Sequence, residues 1–182
     1  YSNCDELGFT PLQYYSKFGD LEIVKFLIEN NADINKKNPE GNTAFLIALI
    51  NREDDVARFL LQKGAEIKDK NYSAYTPLMA ASWAGNYKIV KALIKRNVDL
   101  NEISDDGYGY SALWSALSNN QLKIAKYLIR HGADVNLIYI NRYTVLHLAT
   151  RNKQREIVKL LLSKNADASI KNNEGKTPID IA

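Results

Sequence analysis

A Thr or Ser followed by a short apolar stretch recurs at Thr10, Thr43, Thr76, Ser111, Thr144 and Thr177. Successive spacings are 33, 33, 35, 33 and 33 residues. A fixed period of this size belongs to a stacked array of small units, each leaning on its neighbours, and not to one globular core. It sets the architecture, argues against catalysis and leaves open what the array binds.

One unit, Thr76 to Asn101, shows how the period folds. The Thr76 hydroxyl is a good N-cap, and Pro77 suits the first helical position because its missing N–H costs nothing there. Leu78, Ala81 and Ser82 form a narrow stripe for a closely packed helix. Gly85 and Asn86 interrupt it. Ile89, Val90, Leu93 and Ile94 then follow at helical spacing, with Lys88, Lys91, Lys95 and Arg96 on the opposite face. Asn97 stands where a left-handed residue ends the helix, as Gly64 and Gly132 do in other copies. Neither helix is long enough to be stable alone, so stacking must supply the packing.

The motifs in phase with this period resemble those of the ankyrin repeat: a D-x-x-G-x turn, T-P-L-H-x-A on the first helix, and G-A-D-x-N after the second. Asp5-Glu-Leu-Gly8-Phe-Thr10-Pro-Leu12 opens one copy and Thr144-Val-Leu-His147-Leu-Ala149 another, while Gly132-Ala-Asp134-Val-Asn136 closes a third. The resemblance implies an all-α fold: an ankyrin-repeat solenoid of stacked helix-turn-helix pairs with protruding β-hairpin-like fingers. Five copies are expected at 5–37, 38–70, 71–105, 106–138 and 139–171, with a partial sixth at 172–182. Ile179 and Ile181 have no following helix to cover them, so this end is expected to fray unless more chain follows.

Several positions depart from the pattern. The single slip lies in the turn Glu102 to Tyr110, and insertions in repeat proteins fall in loops, often on the binding face. The finger carrying Asp105-Asp-Gly-Tyr-Gly-Tyr110 should therefore project furthest, either as a contact or as a neutral insertion. Ala74 and Arg142 replace the turn glycine, at a cost of roughly 1 kcal/mol if φ is positive. Those turns should be strained or differently shaped. In the second copy Asp54 replaces a Leu and Ala57 a Val, so packing should be weakest there, although Glu53-Asp-Asp55 suits a helix N-terminus.

Candidate chemistry is sparse. Cys4 is the only cysteine, so neither an internal disulfide nor a Cys-based metal site can form. His147 occupies the family's first-helix His position, where the resemblance implies a structural hydrogen bond to a neighbouring repeat. His131 lies in the last turn of a second helix, where a cation favours the dipole. Asp33, Asp99, Asp134 and Asp167 recur once per copy and belong to the repeat's turns. With no phosphate loop, nucleophile elbow or metal-ligand spacing, no enzyme activity, metal or cofactor is expected.

Partners are read from charge and from aromatic placement. A net charge of +3 is too balanced to imply nucleic acid or an anionic membrane. Lys25, Arg58, Lys88, Lys91, Lys123, Lys126, Arg130, Arg155 and Lys159 fall on the second helices. That face is either a phosphate-binding stripe or, preferably, a solvated exterior offset by Glu22, Asp55 and Glu156. The longest apolar run, Phe45 to Ile50, is too short to span a bilayer, and no leader precedes the first copy. The chain reads as a processed or excised piece, monomeric, with its compartment open between cytoplasm and secretion. Abundant Asn, Lys, Ile and Tyr keep a bacterial or parasite effector in view.

Ankyrin proteins usually grip partners along the fingers and the exposed side of the first helices. The matching positions carry Tyr72, Tyr75 and Trp83 in the third copy, Tyr108, Tyr110 and Trp114 in the fourth, and Tyr139, Ile140, Tyr143 and Arg151 in the fifth. The second copy instead has Pro39, Glu40, Asn42 and Ile50. Large rings on otherwise polar loops point to a protein or peptide partner, since Tyr and Trp dominate interface hot spots. The competing expectation is that adjacent rings stack to stiffen the fingers. A second function class is a targeting or regulatory segment of a larger enzyme or effector.

Overall fold

A computed structural model describes residue 5 and residues 7–182; Cys4 lies outside them. Among the described residues ten α-helices form five consecutive pairs. These are α1 (Pro11–Lys17) with α2 (Leu21–Glu29), α3 (Ala44–Ile50) with α4 (Asp54–Gln62), and α5 (Pro77–Ala84) with α6 (Tyr87–Lys95). Next come α7 (Ala112–Ser118) with α8 (Leu122–Arg130), and α9 (Val145–Arg151) with α10 (Arg155–Ser163).

The recurring hydroxyls open the first helix of every pair. Thr10, Thr43, Thr76, Ser111 and Thr144 accept from the backbone N–H three residues on, satisfying a donor that the helix itself leaves free. Thr177 behaves differently: its hydroxyl donates to Asp180 at 2.7 Å, and a single 3-10 turn, Ile179–Ile181, follows. Inner helices stack in series, α1 on α3, α3 on α5, α5 on α7 and α7 on α9. Sandwiched on both sides, α3 buries Ala44 through Leu49 and α7 buries Ala112 through Leu117. Outer helices bury one stripe only, such as Ile124, Ala125, Leu128 and Ile129 of α8. The result is one continuous core running along the stack. Asn97, Gly64 and Gly132 are left-handed at φ 55°, 89° and 93°, and end their helices as expected.

Six fingers protrude, one before each pair and one after the last. In five, one backbone N–H donates to the carbonyl four residues on: Asp5 to Phe9, Asn38 to Asn42, Asn71 to Tyr75, Tyr139 to Tyr143 and Asn172 to Lys176. In the fourth, Ser104 N donates to Tyr110 O across six residues, so the period slip is a longer turn and the helices are untouched. In the five shorter fingers a second backbone bond spans three residues, as from Gly41 N to Asn38 O, so each makes a hairpin outline without a ladder, and among the described residues no strand is present. Adjacent fingers are tied by Tyr72 N donating to Glu40 O at 3.0 Å, Asp105 N to Ser73 O at 2.7 Å and Asn173 N to Asn141 O at 2.9 Å.

The two turns without glycine solve the problem differently. Ala74 keeps the glycine geometry, at φ 54°. Arg142 instead closes a 3-10 turn, Ile140–Arg142, in which Asn141 and Arg142 are both left-handed at φ 58°.

The recurring aspartates belong to the repeat's joints. Asp99 Oδ1 accepts from Asn101 N and Asp134 Oδ1 from Asn136 N. The asparagine then reaches the next copy: Asn35 Oδ1 accepts from Glu66 N, Asn101 Oδ1 from Asp134 N and Asn136 Oδ1 from Asp167 N, at 2.8–2.9 Å. Between the second and third copies Lys68 occupies that asparagine's place, and no equivalent bond forms among the described residues. A cleft of about 200 Å³ lies at this joint, bordered by Lys68, Val98 and Asp99. Asp54, expected to weaken the second copy, is exposed and accepts from Asn86 Nδ2 at 2.7 Å, while Ala57 is fully buried.

Candidate protein-binding face

The inner helices and fingers of copies three to five converge on two clefts that share one wall. The first, about 260 Å³, is lined by Tyr75, Trp83, Asp106, Tyr110, Trp114, Ser115 and Ser118. The second, about 410 Å³, lies between the fifth and sixth fingers against Trp114, Ile140, Asn141, Tyr143, Arg151 and Asn172 to Glu174. Seven of the ten positions singled out in the sequence line one or both. Tyr72, 73% exposed, and Tyr108, 51% exposed, stand outside the clefts on the fingers.

Trp114 and Tyr139 do not have the exposure expected of them: they are 8% and 5% exposed. Their rings pack against each other at 4.4 Å between centroids. Tyr139 Oη and Ser111 Oγ share a buried hydrogen bond of 2.6 Å. Burial pushes the Tyr139 phenol's pKa up, against the lowering effect of that bond. Tyr139 thus lies beneath the face as a support. Above it the rings continue, Tyr110 stacked near Trp114 at 6.3 Å and Tyr108 parallel to Tyr110 at 5.3 Å. Stacking and partial exposure therefore coexist in one ladder.

Each remaining side chain has a local reason for its place. Trp83, 38% exposed near the end of α5, carries the Arg52 guanidinium over its ring at 4.5 Å. Tyr75 bonds the Ser115 hydroxyl, and its phenol pKa is pushed up to about 12 by burial first and the nearby Asp106 carboxylate second. Asp106 itself organises the long finger: its Oδ1 accepts from Ser104 Oγ, Tyr108 N and Gly109 N. Burial and Asp106 also raise the pKa of Tyr110. Arg151 lies over the Tyr143 ring at 5.6 Å. One end of the face therefore carries a carboxylate and the other a guanidinium.

His147, in contrast, is structural. Thr144 N donates to its Nδ1, which leaves Nε2 as the donor to Lys176 O of the next finger at 3.2 Å. It is wholly buried, and burial lowers its pKa. Gln13 does the same work in the first copy, donating through Nε2 to Lys36 O and Asn42 O. On the outer helices, Lys25, Arg58 and Lys159 pair with Glu22, Asp55 and Glu156.

Sequence reasoning passed over Asp106, Ser115, Ser118, Asn141 and Asn172 as lining residues. The finger-to-finger bonds explain the last two, because any cleft beside the fifth finger must be closed by the sixth.

A helical solenoid with a finger-lined inner face is the architecture of the ankyrin repeats, and the chain belongs to that family. Models of ankyrin repeats match residues 1–71, 68–139 and 128–182. The chain is 37% identical over 90 residues to ankyrin repeat and SAM domain-containing protein 6 of Rattus norvegicus, covering 48% of this chain and 10% of that one. It is 36% identical over 112 residues to a putative ankyrin repeat protein of Fowlpox virus, covering 59% and 33%. Alpha-latrocrustotoxin-Lt1a of Latrodectus tredecimguttatus is 32% identical over 190 residues, covering 95% of this chain and 13% of the toxin. The chain thus spans at most a third of these relatives. Among solved structures, the ankyrin repeat domain of Bcl-3 superposes with a TM-score of 0.79 at 28% identity, covering all of this chain and 81% of that one. Ankyrin repeats are in general non-catalytic protein-interaction modules. Among the described residues no helix is long and apolar enough to cross a membrane.

Proposed function

We propose that this array is a non-catalytic scaffold that grips a protein or peptide segment along the inner face of copies three to five. The supporting observation is the pair of clefts walled by Trp114, which places Tyr75, Trp83, Tyr110, Tyr143 and Arg151 along one path. A stacked framework is preorganised, so it loses little ordering entropy on binding. The test uses peptides selected against the 182-residue chain from a displayed library. Trp83→Ala should weaken them by about 2 kcal/mol, roughly thirtyfold, and Lys88→Ala on the outer face should not. Unchanged affinity in a folded Trp83→Ala variant, or binding that needs the outer lysines and falls steeply with salt, refutes the reading.

A second reading, a targeting or regulatory segment within a larger protein, is favoured by the relatives, in which the matching stretch is 10–33% of a longer chain. Fusing the array to an inert reporter and comparing its cellular distribution with that of the Trp83→Ala fusion tests it. Identical distributions would refute it.

A further inference from the structure

The first cleft is walled by rings and carries a single charge. Trp83 is exposed, Tyr75 and Tyr110 are half-buried, and the nearly buried Trp114 backs them. Asp106 is the one charged residue in the lining, and it is exposed. Its Oδ1 is taken up by the finger, accepting from Ser104 Oγ, Tyr108 N and Gly109 N. Among the described residues its carboxylate has no basic partner, whereas Glu102, earlier in the same finger, is paired with Lys70 at 2.9 Å. The charge stands close to the rings: after burial, Asp106 is the second cause that raises the phenol pKa of both Tyr75 and Tyr110.

An unpaired carboxylate among π-systems suits a cation, because the ring quadrupoles and the carboxylate attract the same charge. Rings of this face already take guanidinium groups: Arg52 lies over Trp83 at 4.5 Å and Arg151 over Tyr143 at 5.6 Å. Arg52 comes from the preceding copy, does not line the cleft and forms no ion pair with Asp106. A guanidinium fits better than an ammonium. Being planar, it lies flat on a ring while its edge forks to a carboxylate, and it is the more weakly hydrated of the two. A cleft of about 260 Å³ is below the roughly 300–1,000 Å³ of sites for whole small molecules, a scale suited to one side chain. The chain's net charge of +3 disfavours general adhesion of a cation elsewhere.

We propose that this cleft is an arginine-anchor pocket: it takes one arginine side chain of the protein partner, stacked on the aromatic lining with its guanidinium paired to Asp106. The proposal rests on the inner-face reading and gives it a selectivity, a partner segment with a basic residue seated beside the fourth finger. It also assigns a task to the period slip, since the lengthened finger is the one that carries Asp106.

Both tryptophans of the chain line this cleft, so the indole N–H resonances of the isotope-labelled 182-residue chain report on it. Titration with N-acetylarginine N-methylamide should shift both saturably. The citrulline counterpart, similar in shape but neutral, should bind at least about tenfold more weakly, and the lysine counterpart several-fold more weakly. Asp106→Asn is the decisive variant, because the amide keeps an Oδ1 acceptor for the finger's donors and removes the charge. It should melt like the parent and lose at least about tenfold in affinity for the arginine probe. The citrulline comparison needs no variant, so it decides the question even where Asp106→Asn disturbs the finger. Absence of a saturable shift, equal affinity for arginine and either counterpart, or unchanged affinity in a folded Asp106→Asn variant would each overturn the proposal. So would a shift of the Trp83 indole alone, the signature of a probe that merely replaces Arg52 on that ring. The titration needs no partner, so its failure leaves the inner-face reading to its own test.

Discussion

Replacing Tyr139 separates support from contact. Its ring is 5% exposed and packs at 4.4 Å on Trp114, and its phenol bonds the capping Ser111 at 2.6 Å. Tyr139→Phe removes that bond at a net cost of about 1 kcal/mol. The loss stays small because the Ser111 oxygen still accepts from Trp114 N. Tyr139→Ala removes the ring as well and leaves a hole under Trp114, costing about 3–5 kcal/mol. For a chain of this length each kcal/mol moves the melting midpoint by about 2–4 °C. The Phe variant should therefore melt about 2–4 °C lower and the Ala variant at least about 6 °C lower. Circular dichroism gives the midpoints, and tryptophan fluorescence reports the disturbance at Trp114 directly. A Tyr139→Ala variant as stable as the parent would refute the supporting role. So would a Tyr139→Phe variant that lost peptide affinity with no change in stability, since that outcome makes the phenol a contact.

The remaining predictions concern backbone strain, ionisation and coupling. Ala74→Gly relieves about 1–2 kcal/mol of left-handed strain and gives back about 0.5–1 in glycine entropy, so it should raise the melting midpoint slightly. Gly41→Ala should lower it by more than the strain alone, because the new Cβ would sit 2.9 Å from Tyr72 N; equal effects of opposite sign would contradict this. Tyr75 ionises near 10 in an unfolded chain and at about 12 here. Its contribution to stability is therefore intact below pH 10 and lost as pH rises to 12; in a phenolate absorbance titration against the parent, Tyr75→Phe should remove one tyrosine's step near pH 12 and leave that of the more deeply buried Tyr139. Trp114→His and Tyr139→Asn, each destabilising alone, should together cost at least about 1 kcal/mol less than their sum, and simple additivity in urea unfolding would refute the coupling.

The fold was readable because its determinants are local and repeated. A capping hydroxyl, a proline at the first position and a left-handed Asn or Gly act within a few residues, and five copies in phase leave little room for coincidence. The longer fourth finger was readable for the same reason, as a slip in an otherwise constant count. Exposure of the aromatic residues was not. Tyr139 and Tyr143 flank the same finger, yet one turns inward to Ser111 and the other outward to Arg151. That choice depends on what the adjacent copy presents, which no single repeat encodes. The orphaned amides of Asn38 and Asn172 were hidden too, because Asn71 has the same turn chemistry and differs in having Asn42 placed before it by the preceding finger, where Phe9 and Tyr143 stand before the other two.

The departures in the fourth and fifth copies act together. In the first and fifth copies the side chain three residues after the cap reaches forward to the next finger: Gln13 to Asn42 O, and His147 to Lys176 O. At the fourth copy that position holds Trp114, whose indole is not engaged in such a tie. The joint is made in reverse, with Tyr139 reaching back to the cap Ser111. But Tyr139 stands where Asn38, Asn71 and Asn172 organise their fingers, so the fifth finger loses that side-chain acceptor. It closes instead through two left-handed residues, Asn141 and Arg142. Trp114, freed from tying copies together, becomes the wall between the two clefts. A reversed joint, a reshaped finger and a shared aromatic wall are then one structural change, and it falls where the array presents its candidate binding face.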